Sequence, residues 1–239
     1  MTTPEPTAEG QHRSRTHAPD SGAVASVLKL GGTVSVLQSG LFVVIGVAAV
    51  VLRVDRLVDY GFASLPSADP AAFRVLCAAF VLIAVLGLAI TAAERALIEA
   101  SNAGLAGFGA TLAYLGHGGT IAFFSWWLLR SIHGGATTVD LNVVAPLDWG
   151  VMFELVFVGA WVWIIAWVGR GERSWRPGFL LLTAAKATSF WFAAVAFVTN
   201  EKWMILVGVG AVTFVTGPWW HLWIARTMTR RAGAIAHGR

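Results

Sequence analysis

Residues 41–52 read LFVVIGVAAVVL and residues 80–90 read FVLIAVLGLAI, two runs without a charged side chain. A helix must present about 20 apolar residues to cross a hydrocarbon layer of about 30 Å. Followed outward to their natural ends, the two runs become candidate spans at about 25–52 and 70–98. Four more follow at about 105–129, 149–168, 178–199 and 203–226. The pattern predicts an all-α fold, a polytopic membrane helix bundle of six transmembrane helices.

The rest of the composition agrees with that reading. Hydrophobic residues make up 56% of the 239 and charged residues only 13%, with a mean hydropathy of +0.69. Soluble domains carry about twice that charged fraction. Twelve tryptophans suit a chain that crosses two headgroup layers. One cysteine, Cys77, allows no intrachain disulfide and no cysteine-based metal cluster. The net charge of +4 does not point to nucleic acid, because the basic residues are scattered at helix ends. Only three of them are lysines, a bias that suggests a bacterial GC-rich genome and a plasma-membrane location.

Residues 1–24 are polar and proline-bearing and read as a disordered tail; residues 25–229 form the membrane domain, and 230–239 a short basic tail. The first apolar run begins too far into the chain for a signal peptide and is read as a retained helix. Asp69 followed by Pro70 is a cap and first-turn pair that starts the second helix. Ser101-Asn102-Ala103-Gly104 breaks the chain before the third, and Asp148 can cap the fourth. Lys and Arg number eleven on the side holding both termini and five on the other, with Lys186 inside a span. By the positive-inside rule both termini are cytoplasmic.

Ionisable residues deep in a span are the main functional signal, since each costs roughly 2.5–3.5 kcal/mol or more to insert. His117, Glu154 and Lys186 qualify. Helix rise puts His117 roughly 20 Å up from the cytoplasmic side, Glu154 at nearly the same level, and Lys186 roughly 12 Å up. They are expected to form one intramembrane polar cluster, for proton relay, substrate binding or helix register. In the sixth helix Thr216-Gly217-Pro218-Trp219-Trp220-His221-Leu222-Trp223 predicts a kink at Pro218. Trp219, Trp220, His221 and Trp223 read as a cytoplasmic aromatic belt, or alternatively as a hinge or an aromatic ligand site. A haem shared by His117 and His221 is disfavoured by a level difference of roughly 12 Å. Glu94, Arg95 and Glu99 mark an interfacial end of the second helix, where Arg95 and Glu99 can pair at spacing four. Trp126, Trp127, Trp149, Trp161, Trp163, Trp167 and Trp175 read as interfacial anchors. Small-residue pairs such as Gly109 with Ala113 permit close helix packing.

No Walker loop, Rossmann glycine pattern, HExxH or nucleophile elbow occurs. No cofactor is expected, and the partners are the bilayer and a second copy or a larger membrane complex. The hydropathy layout resembles small six-helix membrane proteins of actinobacteria, a likeness that carries no motif and transfers no residue role. The expected function is transport, permeation or membrane sensing through the His117–Glu154–Lys186 region. The alternatives are a non-catalytic accessory or assembly subunit, and a redox protein holding a lipid, quinone or haem.

Overall fold

A computed structural model describes residues 21–53, 69–133, 149–171, 175–199 and 201–237. Among them nearly all are helical and none lies in a strand. The helices are α1 (Ser21–Val51), α2 (Pro70–Ile98), α3 (Ala103–Ile132), α4 (Trp149–Gly169), α5 (Pro177–Thr199) and α6 (Lys202–Ala236). Five of these, all but α3, are both long and apolar enough to cross a membrane. Helix α3 has the length, at 30 residues, but its glycines and His117 lower its hydropathy. This is an all-helical, multi-pass membrane bundle.

Local chemistry starts and stops the helices where backbone donors need partners. Asp69 Oδ1 accepts from the amides of Ala71 and Ala72, both at 3.0 Å, with Pro70 in the first turn of α2. Asn102 Oδ1 accepts from Leu105 N at 2.9 Å and opens α3 directly after α2 ends. The cap assigned to Asp148 and the loop before it lie outside the described residues.

Each helix packs against its neighbours in sequence, and α6 returns to close on α1. Gly31 of α1 faces Ala93 of α2 and Met228 of α6, while Gly46 faces Phe214. Consecutive helices therefore run antiparallel around a closed ring, and the start of α1 and the finish of α6 share one end. Exposed side chains such as Leu30, Val47, Leu181 and Val207 cover the outside. Ser35, Gln38, Glu94, His117, Glu154, Lys186 and His221 are buried within. Apolar outside and polar inside is the arrangement that hydrocarbon solvent favours.

Two helices contain a π turn. In α4 it spans Glu154–Val158, and in α6 it spans Ala211–Thr216, immediately before Gly217 and Pro218. The kink expected at Pro218 takes this form, the wider turn accommodating a residue that has no amide hydrogen to donate. Helix α6 also runs ten residues beyond Arg226, so most of the expected basic tail is helical.

Candidate functional site

Every helix contributes a buried polar side chain to one place in the ring: Gln38, Glu94, His117, Glu154, Lys186 and His221, in order from α1 to α6. Together they border an internal cavity of about 20 Å³, room for one water. Helix α2 reaches the site with Gly87, Thr91 and Glu94, spaced four and three apart on one face. A methyl group on Gly87 would overlap the ring of His117, so only glycine lets that imidazole lie against α2.

His117 and Glu154 meet as expected. His117 Nδ1 lies 3.0 Å from Glu154 Oε2, and the hydroxyl of Thr120 donates to the same oxygen at 3.1 Å. An ionised carboxylate only accepts, so with Glu154 ionised His117 Nδ1 is the donor, and in the neutral imidazole Nε2 is left to accept from Thr91 Oγ1 at 3.3 Å. Glu154 opens the π turn of α4. That turn also leaves the Val156 carbonyl in reach of Trp191 Nε1, at 3.3 Å on α5.

Lys186 goes elsewhere. Its ammonium nitrogen lies 2.9 Å from His221 Nε2 rather than against Glu154, because its stem crosses towards the adjacent α6. Trp220, Phe42 and Phe190 surround it, with ring centroids at 3.6, 5.6 and 5.4 Å. This aromatic box holds the cation through ring quadrupoles. Glu94 and Glu154 act on it through space. With Lys186 as donor, His221 carries its own proton on Nδ1. That atom and Gln38 Oε1 are buried without a protein partner and belong to residues bordering the cavity. A water or a polar substrate group held there would satisfy both.

Three sequence expectations need correction. Glu94 is not an interfacial charge: it is 3% exposed and accepts from Trp161 Nε1 at 2.5 Å, its position on α2 turning it into the ring. Arg95 and Glu99 form an exposed pair at 2.9 Å on the opposite face. His221 and Trp220 are not in an aromatic belt. The continuation of α6 past Arg226 draws them into the bundle, 2% and 1% exposed, with Trp220 Nε1 donating to Thr183 Oγ1 at 3.1 Å. Trp219 points outward at 63% exposure, and Trp223 packs beside Phe179. Among the remaining tryptophans Trp127, Trp161 and Trp175 are core residues, whereas Trp126, Trp163 and Trp167 face outward. Gly109 is where the Trp161 ring crosses α3, so that small residue serves packing within the chain.

Comparison of the chain with protein-family models, curated proteins and solved structures gives no match. Function must therefore be argued from the site.

An apolar recess of about 80 Å³ adjoins the cluster on the side of the last turns of α1 and the first turns of α2. Leu52, Leu76 and Phe197 line its outer part, and it shares Phe42, Phe190 and Glu154 with the polar cavity. Glu154 stands where the two meet. Among the described residues no three His, Cys, Asp or Glu side chains converge to hold a metal ion. What the arrangement can do is hold and exchange protons: two carboxyl groups, two imidazoles and an amine border one cavity, with His117 bonded to Glu154 and Lys186 to His221.

Proposed function

We propose that this protein moves protons across the membrane through the interior of its helix ring. The observation that carries the proposal is the convergence of Glu94, His117, Glu154, Lys186 and His221, one from each of five helices, on a single cavity. Nothing about packing a ring of apolar helices calls for five ionisable groups at its centre, and each is expensive to bury in lipid. A proton taken up at His117 Nε2 frees the Nδ1 proton to pass along its hydrogen bond to Glu154 Oε2, and Glu154 releases it on the recess side; the same path runs in reverse. The Lys186–His221 pair takes up charge on the other side of the cavity. By the positive-inside rule, the richer set of arginines at the end where α1 starts and α6 finishes supports a cytoplasmic side there.

The test is a proton-flux assay on the full chain in liposomes, with a pH-sensitive dye inside and a potassium gradient with valinomycin as the driving force. Wild-type vesicles should acidify faster than protein-free ones. Glu154→Gln, which keeps the side-chain size and the hydrogen bond from Thr120, should lower the rate at least about tenfold. The proposal fails if wild-type vesicles behave as empty ones, or if the folded variant conducts like the wild type.

A further inference from the structure

A second site lies at the other end of the molecule from the apolar recess, between the start of α5 and the last turns of α6. It is a groove of about 270 Å³, far roomier than the central cavity. One wall is basic: Arg176 precedes α5, and Arg230 and Arg231 stand on α6, all three with exposed side chains. The other wall is apolar and aromatic, built from Trp175, Phe179, Trp223 and Leu97. Trp175 and Phe179 meet edge to face at 5.1 Å, and Phe179 and Trp223 lie 5.8 Å apart. No carboxylate lines the groove among the described residues.

We infer that this groove binds the head group of an anionic phospholipid, with the glycerol and upper acyl chain against the aromatic wall. Guanidinium groups match phosphate oxygens in paired hydrogen bonds, and three together favour a head group of net negative charge over a zwitterionic one, whose own ammonium balances its phosphate. The aromatic wall decides between the two sources of phosphate. A free phosphate ion would gain nothing from Trp175, Phe179 and Trp223, whereas a lipid presents its ester and acyl region at that height. The extension of α6 beyond Arg226 creates the basic wall, because it carries Arg230 and Arg231 on a helix instead of a loose tail. This inference is independent of proton movement.

The test is native mass spectrometry of the full chain in detergent, given an equimolar mixture of dioleoylphosphatidylglycerol and dioleoylphosphatidylcholine. Wild type should retain the glycerol lipid over the choline lipid by at least about tenfold, as expected when several arginines each contribute about 1 kcal/mol near a membrane surface. Arg230→Gln with Arg231→Gln should abolish that preference, and Arg176→Gln alone should weaken it. Lys202→Gln, at the opposite end, should leave it intact. Equal retention of the two lipids, a preference that survives in the arginine variants, or displacement of the bound lipid by millimolar inorganic phosphate would each overturn the assignment.

Discussion

Lys186 is the residue on which the charge balance of the core turns. It is 2% exposed, held by His221 and three aromatic rings, and it faces the negative ends of Glu94 and Glu154 through space. Replacing it with methionine keeps most of the packing volume but leaves two buried carboxyl groups without the cation that shares their cavity. Protonating a carboxyl group removes the uncompensated charge, so acid should favour the folded variant. The expected outcome is that Lys186→Met in detergent melts below wild type at pH 8 and recovers much of that loss at pH 5. A melting deficit that is the same at both pH values would show that the lysine contributes packing alone. That Lys186, His117 and Glu154 are buried together could be read from their depths in the spans. That Lys186 chooses His221 could not, because depth says nothing about azimuth around the ring.

At the scale of elements, the two π turns set where the functional groups point. In α4 the wide turn begins at Glu154, and a helix without it would rotate the upstream residues relative to His117. Deleting Val156 closes the wide turn, so that Glu154, which opens it, no longer sits as it does beside His117. The deletion variant should elute and show helicity like the wild type, yet conduct protons at least about tenfold more slowly. Unchanged flux would mean the turn is only a packing adjustment. Pro218 announced an irregularity in α6, since a proline lacks the donor a regular helix needs there. Helix α4 has no such signal, and one surplus residue among apolar ones leaves no mark in the sequence. Similarly, Gly87, Thr91 and Glu94 form a polar stripe on α2, a signal that could have found Glu94. Its place beside Arg95 obscured that stripe.

For the whole molecule, the closed antiparallel ring puts the start of α1 and the finish of α6 at one end and leaves orientation as the remaining choice. Cys77 is fully buried, so single cysteines placed elsewhere report without background. In intact cells Glu201→Cys should react with a membrane-impermeant maleimide and Ala236→Cys should not, until the membrane is opened. The reverse pattern would place the basic end outside. The order of residues alone was enough to show that the chain is a bundle of apolar helices, roughly where each begins and ends, and that a few charges lie deep within them. It could do so because lipid demands long apolar runs with satisfied backbones, a requirement that acts on each segment separately. Which faces of those helices meet came from the packed bundle. It drew Glu94, Trp161 and His221 inward, sent Lys186 to His221, and set Glu154 between the recess and the cavity. Those outcomes depend on rotation of each helix about its own axis, which packing of side chains across the ring fixes and hydropathy along the chain does not.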